Sequence, residues 1–130
     1  MRQELQDKLF EKYPKIFGQK DLPMTHTCMC WGICTGDGWY HIIDTLCHAI
    51  QHRDDTVEGL EQVEAVQVKE KWGGLRFYYE GGDEYIAGLV SYAESLSMVS
   101  CIQCGKPTES TVRSWMKICP TCEKELDKSP

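Results

Sequence analysis

Residues 101–122 read CIQCGKPTESTVRSWMKICPTC and contain two Cys-x-x-Cys pairs with fourteen residues between them. Cysteine pairs at this spacing are typical of a site in which four thiolates close tetrahedrally on one zinc ion. The predicted ligands are Cys101, Cys104, Cys119 and Cys122. A disulfide framework or scattered core thiols would also use these cysteines, but two intervening residues disfavour a relaxed disulfide within either pair.

The residues around the four cysteines predict a local fold. Gly105 permits the positive φ of a tight turn after the first pair. Pro120 stands where the first residue of a helix is expected. We therefore predict a treble-clef-like zinc module over residues 101–130, with a knuckle, a short hairpin over residues 111–118, and a helix whose first turn carries the last two ligands.

The predicted zinc is structural, because four protein ligands leave no open position for water or substrate. A segment this short buries little apolar surface by itself. Its folding should therefore be coupled to metal binding, which contributes roughly 10–16 kcal/mol in zinc-finger peptides.

The rest of the chain has the composition of one compact core. The protein has 130 residues, of which 42% are hydrophobic, and this is enough for a real core. We predict an α+β core domain over residues 1–100, in which helices pack on a small antiparallel hairpin sheet. The linker of residues 98–100 is so short that the zinc module should dock rigidly on this core.

The chain has no run of eighteen apolar residues, and its first residues show no continuous apolar segment. We expect neither a membrane span nor an export signal. Eight cysteines in such a chain favour a reducing compartment, and the cytoplasm is the expected location.

Hydrophobic spacing predicts three helices in the core, over residues 3–17, 37–52 and 83–97. Pro14 should end or kink the first helix. Asp37 and Asp83 are the expected N-caps of the second and third helices. The predicted buried faces comprise Leu5, Leu9, Phe10 and Tyr13, then Trp39, Ile42, Ile43, Leu46 and Ile50, and then Ile86, Leu89, Val90, Ala93 and Leu96.

Residues 62–72 and 75–80 have the pattern of a β-hairpin around a Gly73-Gly74 turn. This turn places Trp72 opposite Leu75, Glu70 opposite Phe77 and Val68 opposite Tyr79. The predicted core face comprises Val66, Val68, Trp72, Leu75, Phe77 and Tyr79, and the other face comprises Lys69, Lys71, Arg76 and Tyr78. Glu70 interrupts the core face and is expected at the sheet margin, because a lone buried carboxylate is costly.

A second group of cysteines, Cys28, Cys30 and Cys34, follows His26. Their spacing could hold a second metal ion, but it lacks the geometry of a Cys-x-x-Cys knuckle. Packing of these cysteines around Trp31 is the favoured interpretation.

The second predicted helix carries a polar row of His41, Asp44, His48 and His52. Two of these residues could share a metal ion or a proton. A solvated helix face has the same pattern, however, and is favoured. An enzyme using this row or the first cysteine group is the least favoured function, and we expect no catalytic residues.

The net charge of −6 is concentrated in residues 54–84, where nine acidic residues stand against three basic ones. This charge disfavours binding to plain duplex DNA or RNA. The acidic segment 54–64 could instead meet a partner protein with a basic surface. The alternative is a nucleic-acid-binding regulator that uses Lys106, Arg113, Trp115 and Lys117 of the zinc module.

Three motifs carry a resemblance: VKEKWGGLRFYY, TGDGWYHIIDTLC and the terminal double Cys-x-x-Cys. Over residues 30–123 the chain resembles a set of short uncharacterised proteins from bacteriophages and prophages. The resemblance implies an accessory protein of the bacterial cytoplasm that binds and blocks a host factor such as a defence complex. It implies no reaction.

Together these observations predict a small zinc-stabilised protein that binds another protein. The identity of the partner and the oligomeric state are left open.

Overall fold

A computed structural model describes residues 1–109 and 116–127. It has the predicted α+β class. The described helices are α1 (Gln3–Lys12), α2 (Tyr40–Thr56), α3 (Glu84–Ser97) and α4 (Pro120–Asp127), and the strands are β1 (Ile33–Cys34), β2 (Glu64–Lys71) and β3 (Gly74–Glu80). The sheet order is β1-β2-β3, with β1 parallel and β3 antiparallel to β2. The sequence did not predict β1, because two residues are too few to show a period.

The first two helices provide one wall of the main core. α1 ends at Lys12, before Pro14, and its Leu9 is fully buried together with Trp39 and Ile43 of the second helical segment. The chain after α1 leaves the helical path, yet Ile16 and Phe17 remain buried in the same core.

The predicted start and end of the second helix are wrong. Asp37 begins a single 3-10 turn, and α2 starts only at Tyr40. The Asp37 carboxylate is not an N-cap: it accepts the backbone N–H of Arg2 and pairs with the Arg2 guanidinium at 2.9 Å. α2 also continues through Thr56, four residues beyond the predicted end at residue 52.

The hairpin forms, but its turn lies one residue earlier than predicted. Lys71 pairs with Gly74 and Glu70 with Leu75, so the two turn residues are Trp72 and Gly73, with φ of 56° and 86°. These left-handed values are typical of a type I′ turn, whose twist matches that of the strands. The Glu70 side chain accepts the Gly73 N–H at 2.9 Å and stabilises this position of the turn.

The shifted turn changes which residues face the core. Trp72 is 69% exposed rather than buried. Val68, Leu75 and Phe77 remain buried as predicted, and an irregularity between Ala65 and Gln67 places Ala65, instead of Val66, in the core. The other face carries Lys69 and Arg76 as a direct pair, together with Tyr78 opposite Gln67.

α3 protects the free edge of β3. Its N-cap is Asp83, as predicted, which accepts the Ile86 N–H. Ser97 Oγ accepts the Leu75 N–H at 2.8 Å, and the Glu94 carboxylate accepts the Phe77 N–H at 3.0 Å. Side chains of α3 thus satisfy amide groups that would otherwise be open to another strand.

The two ends of α3 differ in burial. Ile86, Val90 and Ala93 are buried as predicted, whereas Leu96 is partly exposed. A small second cluster, formed by Cys101, Ile118, Cys119 and Cys122, follows the main core, and Ile102 packs against both. The division of the chain at residue 100 stays a prediction.

Candidate metal centre

The four predicted ligands lie together. Their Sγ atoms are all within 4.8 Å of one another, and the Sγ atoms of Cys104 and Cys119 are 3.7 Å apart. A tetrahedral zinc ion with Zn–S bonds of about 2.3 Å requires neighbouring sulfurs to be about 3.8 Å apart. Cys101, Cys104, Cys119 and Cys122 can therefore hold one metal ion.

Residues 101–106 form the predicted turn, called here the cysteine knuckle. Gly105 donates its N–H to the Cys101 carbonyl at 2.8 Å, and Cys101 donates to the Lys106 carbonyl at 2.8 Å. Gly105 has a φ of +82°, as expected of the glycine after the pair. Closing this turn brings the first two sulfurs to one side of the backbone.

The second pair of cysteines is positioned by α4. Pro120 is its first residue, so Cys119 immediately precedes the helix and Cys122 lies in its first turn, as predicted. The Cys119 N–H donates to Cys101 Sγ at 3.4 Å, and this hydrogen bond links the two pairs of cysteines. Most of the predicted hairpin over residues 111–118 lies outside the described residues.

The centre is buried on one side. Cys101, Cys119 and Cys122 are buried, and Cys104 is exposed. Burial would raise the pKa of the Cys101 thiol, but N–H groups of Cys119, Cys104 and Gln103 stabilise its thiolate and lower the pKa to about 7. Burial raises the pKa of Cys122. A divalent cation would displace the remaining protons, because thiolates are the ligating form.

Two glycines of the TGDGW motif pack against the knuckle. A Cβ atom on Gly38 would lie 2.3 Å from the Cys101 carbonyl oxygen, and one on Gly36 would lie 2.2 Å from that of Ile102. No side chain fits at such distances. The sequence analysis gave these two glycines no role, although glycine is the residue that permits such a close approach of two backbones.

Direct hydrogen bonds hold the same contact. The Gly38 N–H donates to the Ile102 carbonyl at 2.8 Å, and the buried Trp39 ring donates through Nε1 to the Ser100 carbonyl at 3.1 Å. The segment just before α2 is thereby tied to the knuckle.

The first cysteine group differs from its favoured interpretation. Cys28, Cys30 and Cys34 are exposed. They do not pack around a buried Trp31, because this tryptophan is itself 64% exposed. In the described part of the chain, the four C-terminal cysteines are the one group of three or more cysteine, histidine or acidic side chains close enough to share a metal ion.

The polar row on α2 is a solvated face. His41, His48 and His52 are exposed. Asp44 is engaged elsewhere: it accepts hydrogen bonds from Lys12 Nζ at 2.6 Å and from the Tyr13 hydroxyl at 2.7 Å. The row is therefore the outer side of α2, and its single carboxylate, Asp44, ties the helix to α1.

Only part of the acidic segment 54–64 is exposed on the surface. Asp54 lies on α2, where its carboxylate accepts the Val63 N–H at 3.1 Å, and burial raises its pKa. Glu58 and Glu61 are exposed. A partner could reach the second half of the segment but not the Asp54 carboxylate.

Comparisons with known proteins return no match among family models, curated proteins or solved structures. None of the helices within residues 1–109 and 116–127 combines the length and apolar character that a membrane span requires.

Proposed function

We propose that this protein is a small zinc-stabilised binding protein and that its target is another protein. The observation that carries the proposal is an apolar groove of about 390 Å³ between α2 and α3. Ile42 and Leu46 line one wall, and Leu89 and Leu96 line the other. Grooves of this kind accept the apolar face of a partner helix.

The rim of the groove also has the composition of an interface. Tyr92 is 72% exposed beside the apolar lining. Tyrosine is enriched at interfaces because it combines a large apolar ring with a polar end and loses little entropy on binding. Single exposed apolar residues are ordinary, but several converging on one groove favour a binding site.

The metal ion would support this groove without taking part in a reaction. Gly105 and Pro107, at the end of the cysteine knuckle, line the groove. The four-sulfur donor set is typical of structural zinc and leaves no coordination position for a substrate. We therefore assign zinc to the site, as a staple that holds this end of the groove in place.

The resemblance to phage and prophage proteins supports a host partner. On this proposal the protein is an accessory protein of the bacterial cytoplasm, and it binds and inhibits or modulates a host complex such as a defence system. The alternative of a regulator that binds nucleic acid through the zinc module depends on Arg113 and Trp115, which lie outside the described residues.

The test is affinity capture from a bacterial lysate with matched variants. Wild-type protein should retain a partner in stoichiometric amount, and the Tyr92→Asp/Leu96→Asp variant should lose it, because two charges would enter the groove. Ser91→Asp/Ser95→Asp adds the same charges to exposed positions of α3 that do not line the groove, and this variant should keep the partner. Equal capture by both variants would contradict the proposal. Loss of the captured species after nuclease treatment would also contradict it, because the ligand would then be a nucleic acid.

A further inference from the structure

α3 and the turn after it carry an apolar and aromatic stripe with the spacing of a coiled-coil face. Its members recur at intervals of four and three residues, and they are Tyr85, Leu89, Tyr92, Leu96 and Val99. Alternating intervals of this kind place side chains on one stripe of a helix, where a second helix can pack. Val99 continues the stripe beyond α3, because its N–H donates to the Leu96 carbonyl at 3.2 Å. These five residues are called here the α3 seam.

The seam is open to solvent along one side of the groove between α2 and α3. Three of its residues, Leu89, Tyr92 and Leu96, line that groove. At one end Arg53 pairs with Asp83 and lies over the Tyr85 ring, 4.4 Å from its centroid, yet Tyr85 remains 58% exposed. On the flank of the seam, a Cβ atom on Gly88 would meet nothing within 4 Å. A second helix could therefore reach the seam and the groove beside it.

The seam and the groove lack strongly charged side chains. In residues 1–109 and 116–127, no aspartate, glutamate, lysine or arginine lines the groove. Between Tyr85 and Val99 the one charged residue is Glu94, and its carboxylate accepts the Phe77 N–H of β3 at 3.0 Å. Each chain has a net charge of −6, and like charges brought together across an interface are costly. Two copies that meet through this face avoid that cost.

The exposed charged residues near the two ends of the seam have opposite signs. Glu84 is exposed in the first turn of α3. Lys106 is exposed at the other end, between Gly105 and Pro107, which line the groove. An antiparallel pair of α3 helices brings Glu84 of each copy to the Lys106 end of the other copy, whereas a parallel pair opposes equal charges. Complementary charges therefore favour the antiparallel orientation.

We propose that the α3 seam is the interface of a homodimer, in which the α3 helices of two copies pack antiparallel about a two-fold axis near Tyr92. The seam is centred on Tyr92, so this axis places Leu89 of each copy beside Leu96 of the other. A two-fold contact is self-complementary, and each seam enters the groove of the other copy. The inference rests on the groove of the proposed function but not on its target: a second copy fills the groove in the free protein, and a helix of the target replaces it.

The exposed area of the seam agrees with a dimer of modest affinity. A tyrosine can bury about 150–250 Å², so Tyr85 and Tyr92, at 58% and 72% exposure, together offer about 250 Å² per copy. This is nearly a third of the roughly 800 Å² per partner that specific interfaces bury. The other seam residues and the α2 wall of the groove supply the remainder. We therefore expect a dissociation constant in the micromolar range.

The test is sedimentation equilibrium of the full chain, purified in the presence of zinc, at about 1–200 μM, because dimerisation depends on protein concentration by mass action. The apparent mass should rise with concentration towards twice the chain mass of 14.9 kDa. The buffer contains a phosphine reductant, which keeps the exposed thiols of Cys28, Cys30 and Cys34 from linking two copies through disulfides.

Two adjacent substitutions separate the seam from a general effect of charge. Tyr92→Asp places two carboxylates together at the two-fold axis and removes two rings from the contact, so it should weaken dimerisation about tenfold or more. Ser91→Asp adds the same charge at an exposed position off the seam, and it should leave the dissociation constant unchanged.

Reversal of charge tests the orientation of the two helices. Glu84→Lys and Lys106→Glu should each weaken the dimer about threefold to tenfold, because each change turns two symmetric attractions of exposed charges into repulsions. The double variant Glu84→Lys/Lys106→Glu restores both attractions and should dimerise like the wild type.

Four results would overturn the proposal. These are a wild-type protein that stays monomeric at every concentration, a dimer that survives Tyr92→Asp, equal weakening by Ser91→Asp, and a double variant as weak as the single ones. A monomer that still captures its target from a lysate would contradict the dimer alone, whereas a dimer that captures none would contradict the proposed function alone. Circular dichroism melts and the zinc content of each variant verify that a loss of dimer is not a loss of fold.

Discussion

Gly38 packs on the backbone of the cysteine knuckle at a distance that excludes any side chain. Its hypothetical Cβ would also lie 2.5 Å from the Gly105 nitrogen and 2.7 Å from the Cys104 nitrogen. Gly88 offers the opposite case on α3, because a Cβ there would meet nothing within 4 Å. A side chain is therefore excluded at Gly38 and has room at Gly88.

Gly38→Ala should destabilise the protein by about 1–3 kcal/mol, the usual cost of forcing an extra methyl group into a packed site. It should also speed the loss of metal, because the displaced backbone carries two ligands. Gly88→Ala should stabilise the protein by about 0.5–1 kcal/mol, since alanine is the better helix former at an exposed position. Urea unfolding and the rate of zinc transfer to a chromogenic chelator measure both effects. A Gly38→Ala variant as stable as wild type would contradict the packing.

A second prediction at this scale concerns the hairpin. Phe77→Ala should cost about 3–5 kcal/mol, because the ring is buried. Trp72→Ala should cost at least about 2 kcal/mol less than Phe77→Ala, since the Trp72 side chain is largely exposed. Urea unfolding of the two variants compares them directly. Equal costs would instead support the register predicted from the sequence, in which Trp72 faces the core.

At the scale of elements, Asp44 connects α1 with α2. Its carboxylate accepts hydrogen bonds from Lys12 Nζ and from the Tyr13 hydroxyl. Burial would raise the pKa of Asp44, but these two hydrogen bonds lower it below its ordinary value. The same contact raises the pKa of Lys12, chiefly through its hydrogen bond to Asp44. The connection is therefore complete only when Asp44 is charged.

The sign of the pH dependence follows from these shifts. A carboxyl whose pKa is lowered on folding contributes stability above its unfolded pKa of about 3.9, and this contribution disappears as the pH falls through the folded value. Asp44→Asn should lower the melting temperature by a few degrees at pH 7 and have little effect near pH 2. The control is Asp55→Asn, at an exposed carboxylate that accepts a hydrogen bond from Gln51 Nε2 at 2.9 Å. A difference between Asp44→Asn and wild type that does not depend on pH would contradict the assignment.

At the scale of the whole molecule, a small cluster that contains the candidate metal ligands lies beside a larger core. Among the described residues, the second cluster contains few apolar side chains besides the cysteines themselves, so its order should depend largely on the metal. The main core is formed by α1, α2, α3 and the sheet. None of the four candidate metal ligands is part of it. Loss of metal should therefore affect the two parts unequally.

Purified protein should contain one zinc ion per chain, and Cys101→Ser should abolish its binding. Chelation should remove order from the C-terminal module and lower the melting temperature, while much of the helical signal of the main core persists. Native mass spectrometry and far-ultraviolet circular dichroism provide the two measurements. Cys30→Ser, at an exposed thiol, should retain the full zinc content. Two zinc ions per chain would instead indicate a site at Cys28, Cys30 and Cys34, and none would contradict the zinc assignment.

Several features of the protein follow from the sequence by itself. Ligand spacing, Gly105 and Pro120 predicted the metal centre, because each has a local chemical or conformational reason that does not depend on distant residues. The N-cap of α3 and most of the buried positions of the helices, although not Leu96, followed from local sequence patterns for the same reason. The type of each element was therefore predictable wherever a period ran for several turns.

Only the tertiary structure decided the features that depend on contacts between distant segments. Asp37 has the chemistry of an N-cap, but Arg2 competes for its carboxylate and the helix begins three residues later. Gly73 and Gly74 both suit a turn, and the Glu70 carboxylate together with the burial of Leu75 selects the register that exposes Trp72. The pairing of Lys69 with Arg76 and of Glu70 with Leu75 also depends on this register, because the pleat of the sheet places alternate residues on opposite faces. Such outcomes depend on which backbone and side-chain groups meet in three dimensions, and a pattern read along one chain does not contain that information.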